Sequence, residues 1–327
     1  MKQWCDKDRP SHSGRGSPLK FRQELTIPNT EIMGPLDLHC SMESGQTFGP
    51  QWRLGEQNNW RLMALGQRPV LCGFTNVGDN HAPLLKVTIL SETPMDQGHL
   101  PDLRERICNM LHLHDDLPAF YRKFGRDPIS PAFGEYEGLR LVSSDDPFES
   151  LISSLCSQNT SANAWNTMVQ LLSMKFGQRV LTEYGACFTF PTPRALSKAS
   201  IEDLKRCRTG YRAEYIKSVS RMVAEGVLTL NDLNGLPYCE AKSVLIELPG
   251  VGQKVADCFL LYGLGFREAA PVDVWIDRIA KRLYPMQAEG LSRVRVGAFL
   301  RERFGDWAGY AQLYMFQYAR MRSSACR

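Results

Sequence analysis

The sequence predicts an α+β fold: a small N-terminal antiparallel β-sheet domain followed by an all-helical domain. Three observations predict it. Short apolar runs broken by turn residues fill positions 35–90, amphipathic segments with helical spacing fill the second half, and the apolar pattern changes character between them. A chain of 327 residues that is 43% hydrophobic has material for more than one core.

Residues 1–34 are rich in Ser, Gly, Pro, Lys and Arg and read as a flexible tail. From Pro35 the runs LDLHC, NWRLMAL, PVLCGF and LLKVTIL alternate with GQ, GP, NN and GDN, as in a small antiparallel sheet. The helical stretch LRERICNMLHLH completes a first domain over 35–130. After the loop-like GRDPISPAFGEYEG, the segments PFESLISSLCSQ, SANAWNTMVQLLSMKF, AEYIKSVSRMVAEG, AKSVLIEL, QKVADCFLLYGLG, WIDRIAKRLY and GYAQLYMFQYARM make 131–327 a helical domain.

Composition narrows the function. The formal charge of +4 permits an acidic partner without demanding one. No apolar run is long enough for a membrane span and the N-terminus lacks a secretory segment, which points to an intracellular protein without membrane contact. The ten cysteines show no C-x-x-C pair or zinc-type spacing, so no metal is expected and reduced thiols are. No phosphate-binding glycine motif supports a nucleotide cofactor, and none is expected. All six histidines lie at or before His114, so the second half works without them.

The most informative stretch is Ala241 to Leu264, where one apolar helix ends at LPGVG and a second begins at once. Pro249 stops the first helix, while Gly250 and Gly252 allow a tight turn around Val251. The second helix then points free N–H groups and the positive end of its dipole outward, a corner suited to one DNA phosphate. An ordinary helical corner has the same look.

Lys254 opens that second helix, with Asp257 the only other charge before Leu264. It reads either as an i,i+3 partner of Asp257 or as an amine nucleophile. An ordinary lysine is neutral in only about one molecule in ~2500 at pH 7, a handicap of roughly 4.6 kcal/mol, which apolar surroundings and a helix N-terminus both reduce. Asp273 in APVDVWIDR reads as a helix N-cap. A carboxylate held there stays ionised beside a developing sugar cation, an attraction of about 4 kcal/mol at roughly 4 Å, or about a thousandfold in rate.

LPGVGQKVADC followed by PVDV resembles the helix-hairpin-helix glycosylase superfamily, specifically its 8-oxoguanine DNA glycosylase/AP lyase branch. SGQTF at 44–48, DDPFESLISSLCSQN at 145–159, GYRAEYI at 210–216 and AGYAQLYMF at 308–316 resemble that family in the same order. The resemblance implies base excision repair of double-stranded DNA containing an oxidised purine, by a monomer. It implies that Lys254 forms a Schiff base at the sugar, that β-elimination follows, and that Asp273 supports departure of the base. It implies further that Gly45 offers its carbonyl to the lesion's N7–H, that Gln312 reads the Watson–Crick edge, and that Phe316 and Cys258 sandwich the ring. Asn159 would fill the gap left by the flipped base, with Tyr211 and Arg212 near the opposing strand. The chain departs from the family pattern at Trp275, where relatives often carry histidine, and at Ala164, where many carry arginine. The iron–sulfur cysteines of the endonuclease III branch are absent. Two other readings stand beside this one: an alkylated-base glycosylase, which needs the aspartate without the lysine, and a non-catalytic helix-hairpin-helix DNA-binding module.

Overall fold

The structure, a computed structural model, describes residues 18–46, 51–54, 57–65, 68–96 and 98–324. Thr47 and Phe48 of the SGQTF segment, and Cys5 and Cys326, lie outside the described residues. In chain order the elements are β1 (Phe21–Ile27), α1 (Leu38–Glu43), β2 (Gln51–Leu54), β3 (Gln57–Leu65), β4 (Arg68–Asn76), β5 (Leu85–Ser91), α2 (His99–Met110), α3 (Leu117–Phe124), α4 (Pro131–Glu135), α5 (Pro147–Cys156) and α6 (Ala162–Phe176). There follow β6 (Arg179–Thr182), β7 (Gly185–Phe188), α7 (Pro193–Lys198), α8 (Ile201–Arg206), α9 (Arg212–Ala224), α10 (Tyr238–Ile246), α11 (Gln253–Leu264), α12 (Val274–Leu283), α13 (Pro285–Ala288), α14 (Arg293–Phe304) and α15 (Ala308–Ser324).

Strands β1 to β5 form one antiparallel sheet in the order β1-β5-β4-β3-β2. Alternation along the strands separates two buried faces. Val70, Cys72 and Phe74 of β4, with Val87 and Ile89 of β5, pack with Leu103 and Ile107 of α2. Trp60, Leu71 and Leu90 point the other way. Gly73, directly across from Trp60, leaves the indole the space that a Cβ 2.8 Å away would fill.

Three sequence expectations are corrected. The tail expected over 1–34 contains β1, an edge strand paired with β5, and buries Leu19, Ile27 and Ile32. LDLHC is not a strand: the Asp37 side chain accepts a hydrogen bond from the Cys40 N–H at 2.8 Å and caps α1. The second half is not wholly helical, because RVLT and GACF pair as the β6–β7 hairpin. That hairpin covers the outer face of the sheet, burying Val180 and Cys187 with Trp60, Leu71 and Leu90. Its register is anchored where the Leu19 N–H donates to the Leu181 carbonyl at 2.8 Å.

The remaining helices share one large core running from α3 to α15, centred on buried Phe120, Phe259, Tyr310 and Tyr314. Arg140, fully buried, ties this core to the sheet. Its guanidinium donates to the carbonyls of Met33 (2.8 Å), Pro35 (3.1 Å), His112 (2.6 Å) and Asp115 (3.2 Å). A guanidinium is one of the few groups that can satisfy several buried carbonyls at once. No helix of the described residues is long and apolar enough to cross a membrane.

Candidate active site and DNA-binding face

The hairpin between α10 and α11 has the geometry its glycines require. Gly250 adopts φ +79, and a Cβ there would lie 2.3 Å from the Tyr215 ring, so glycine is needed for both conformation and packing. Val251 is buried, and its N–H closes the turn on the Leu248 carbonyl at 3.0 Å. Gly252 is extended, caps α11 without any side-chain cap, and has open space where a Cβ would stand. The first-turn N–H groups of α11 therefore face outward at the positive end of the helix dipole.

Lys254 does not pair with Asp257. That carboxylate is buried and engaged by Lys242 at 2.9 Å and by the Tyr238 hydroxyl at 2.6 Å. Lys254 donates instead from Nζ to the Ser157 Oγ at 2.8 Å, on the turn that ends α5. One helical turn on, Cys258 is buried. Burial pushes its thiol up, against the pull of the Lys254 charge. Asp273 is the N-cap of α12, its Oδ1 accepting from the N–H groups of Trp275 (2.9 Å) and Ile276 (2.8 Å). Its charge reaches both Cys258 and Tyr262. Lys254 and Asp273 thus sit at the N-terminal ends of two helices, and the charge of each acts on Cys258.

Gln312 and Phe316 lie one turn apart on α15, Gln312 only 6% exposed and Phe316 half-buried. The Tyr262 hydroxyl donates to the Gln312 Oε1 at 3.3 Å, which joins α11 to α15. Burial, followed by the Cys258 and Asp273 charges, pushes the Tyr262 phenol well up, so it remains a donor. Gly45 adopts φ +79 between two anchored residues. Ser44 is buried and its carbonyl accepts from Arg320 of α15 at 3.3 Å. Gln46 donates to the Arg140 carbonyl at 2.8 Å and accepts from the Val142 N–H at 3.1 Å. Gln46 also lines a cavity with Ser157, Cys258 and Tyr262, which places the Gly45 loop beside the Lys254 face of α11.

A second cluster adjoins the first. Asn159 is in the left-handed region (φ 43) and donates from Nδ2 to the Tyr211 hydroxyl at 3.2 Å. Tyr211 is exposed, and the Arg212 guanidinium stacks 4.6 Å from its ring centre. Arg212, only 6% exposed, is directed inward: it donates to the Gln158 carbonyl and, at 3.3 Å, to the Thr209 carbonyl. It holds the Gln158–Asn159 turn rather than presenting a free cation. Tyr211 packs edge-on against Tyr215 (6.1 Å), whose ring lies under Gly250, so this cluster and the hairpin share one face.

Sequence reasoning singled out neither Ser157, Tyr262, Gln46 nor Tyr215. Of these, Tyr262 was signalled by its i+8 spacing from Lys254. Among the described residues no group of three or more His, Cys, Asp or Glu side chains is placed to hold a metal.

Residues 152–296 match the model of the HhH-GPD superfamily base excision DNA repair proteins. A probable N-glycosylase/DNA lyase of Methanothermobacter thermautotrophicus is 34% identical over 307 residues, covering 88% of this chain and 95% of the relative. The N-glycosylase/DNA lyase OGG1 of Arabidopsis thaliana is 34% identical, covering 92% of this chain and 80% of the relative. A solved structure of MBOgg1 in complex with a low-affinity DNA ligand superposes with a TM-score of 0.77 at 27% identity, covering 92% of this chain and 96% of that one.

Proposed function

This chain belongs to the HhH-GPD superfamily of base excision DNA repair proteins, as an N-glycosylase/DNA lyase, and on that premise we propose that it excises 8-oxoguanine from duplex DNA as a monomer, wherever the cell keeps its DNA. The observation that carries the reading is the convergence of Lys254 and Asp273 on Cys258 from two helix N-termini. The amine of Lys254 bonds to the sugar C1′ as the C1′–N9 bond breaks and its electron pair leaves with the base. The Schiff base that follows acidifies the adjacent C2′–H, and β-elimination cuts the strand on the 3′ side. Asp273, its Oδ1 held by two N–H groups, stabilises the positive charge that grows on the sugar.

The hairpin N–H groups grip a phosphate without reading sequence. Asn159, with Tyr211 as its partner, occupies the space the flipped base vacates. Arg212 serves the opposing strand indirectly, by fixing that turn. Phe316 and Cys258 hold the base between them, and Gln312, oriented by Tyr262, meets its pairing edge.

Selectivity turns on one proton. At the Gly45 carbonyl, 8-oxoguanine donates N7–H, whereas guanine sets a lone pair against a lone pair. A buried acceptor left unsatisfied costs roughly 1–3 kcal/mol, or about five- to 150-fold. Single-turnover excision from matched 8-oxoguanine and guanine duplexes tests this. Phe316→Ala should weaken both substrates alike, while Gly45→Ala, strained at φ +79, should erode their ratio. A ratio that moves more in Phe316→Ala than in Gly45→Ala overturns the readout.

A further inference from the structure

Reading N7–H at Gly45 leaves one choice open. An 8-oxoadenine carries the same N7–H and the same C8 carbonyl as 8-oxoguanine, so the Gly45 carbonyl accepts a hydrogen bond from either. The two lesions differ on the pairing edge. There 8-oxoguanine sets an acceptor, O6, beside a donor, N1–H, whereas 8-oxoadenine sets a donor, its 6-amino group, beside an acceptor, N1. A glutamine amide can meet either pattern, because turning it about its last bond exchanges its oxygen and its NH2. The choice therefore falls to whatever fixes the amide.

Gln312 is fixed from one side. It is only 6% exposed, and its Oε1 accepts from the Tyr262 hydroxyl at 3.3 Å. The bond is long, as those of a substrate-free site often are. Among the described residues that hydroxyl has no other acceptor and the Gln312 Nε2 donates to no other group, which leaves the NH2 for the base. Burial, then the Cys258 and Asp273 charges, holds the Tyr262 phenol protonated, so its proton needs an acceptor at every working pH. Were the amide turned, its NH2 would face the phenol oxygen and that proton would have none. A desolvated donor left in this way biases the two orientations by about five- to 150-fold.

We propose that Tyr262 is a positioning residue that sets the choice of lesion: by holding the Gln312 oxygen, it leaves an amide that matches 8-oxoguanine and mismatches 8-oxoadenine. The proposal rests on Gln312 meeting the pairing edge. Held this way, Nε2–H donates to O6, and the second lone pair of Oε1 accepts from N1–H. Against 8-oxoadenine the same amide sets NH2 against NH2 and a lone pair against a lone pair. Tyr262 acts through Gln312 rather than on the base.

The test is single-turnover excision from two duplexes, one with 8-oxoguanine and one with 8-oxoadenine, each opposite cytosine. Tyr262→Phe keeps the ring and removes the hydroxyl, so the amide turns freely. The ratio of the 8-oxoguanine rate to the 8-oxoadenine rate should then fall by about five- to 150-fold. A merely structural role would slow both substrates alike, and an unchanged ratio overturns the proposal. In Gln312→Ala the ratio should also collapse, and adding Tyr262→Phe to that variant should change it no further. A further fall in the double variant overturns the route through Gln312. A wild-type ratio in Gln312→Ala removes the pairing-edge reading itself, whereas a ratio that collapses there but holds in Tyr262→Phe removes the positioning role alone.

Discussion

At the scale of single residues, Asp273 is a helix cap and, in the proposed reaction, also a catalytic charge, and one substitution separates the two. Asparagine caps a helix about as well as aspartate. Asp273→Asn should therefore keep its melting temperature and DNA affinity yet lose about a thousandfold in single-turnover excision, since only the developing cation senses the missing charge. A drop in stability matching the loss of rate would make capping its main role. Glu149 yields a second prediction, with the sign set by its carboxyl, which burial raises. Stability is fully present below the ordinary value near 4.5 and is lost as pH climbs to about 8, where the folded chain must hold the charge. Glu149→Gln should thus be neutral near pH 5 and raise the melting temperature near pH 9. An advantage that shrinks with rising pH would contradict the burial. Lys254 and Asp273 were legible in the sequence because LPGVG and PVDV mark helix starts around them. Ser157 was not, because its hydroxyl meets Lys254 only when α5 and α11, about a hundred residues apart, pack together, and Tyr262 was marked by its spacing alone, since its partner Gln312 lies on α15.

At the scale of elements, the hairpin's two glycines have different reasons to be glycine. Gly250→Ala meets a left-handed φ and the Tyr215 ring, so it should cost at least about 1–3 kcal/mol of stability together with DNA affinity. Gly252→Ala meets neither, and its melting temperature should hold. If a phosphate closes on that backbone, its Kd should still rise. Equal affinity in Gly252→Ala and wild type would place the phosphate elsewhere. Helices α2, α5, α6, α9, α10, α11, α12 and α15 and strands β3 to β5 were readable from apolar pattern and turn residues, but the short helices and β1 were not. The β1 sequence FRQELTI is largely polar because this is an edge strand, and its partner among the described residues, β5, lies some sixty residues on. The β6–β7 hairpin was hidden for a similar reason, since Val180 and Cys187 are buried by the distant sheet rather than by neighbouring helices.

At the scale of the molecule, the site spans elements that the sequence assigns to different domains, and Arg140 holds them together. From the helical side of the junction its guanidinium serves four carbonyls between Met33 and Asp115 on the sheet side, while its own carbonyl anchors Gln46 beside Gly45. Arg140→Met would leave those buried carbonyls unsatisfied and should cost at least about 3 kcal/mol in denaturant titration. A change within about 0.5 kcal/mol would show that the junction does not depend on it. The measurement closest to the central claim remains the covalent bond itself. With borohydride and an 8-oxoguanine duplex, the wild-type chain should give one DNA adduct, mapped by mass spectrometry to the peptide bearing Lys254, and Lys254→Gln should give none while still binding the duplex. An adduct on any other residue, or one that persists in Lys254→Gln, would contradict the account.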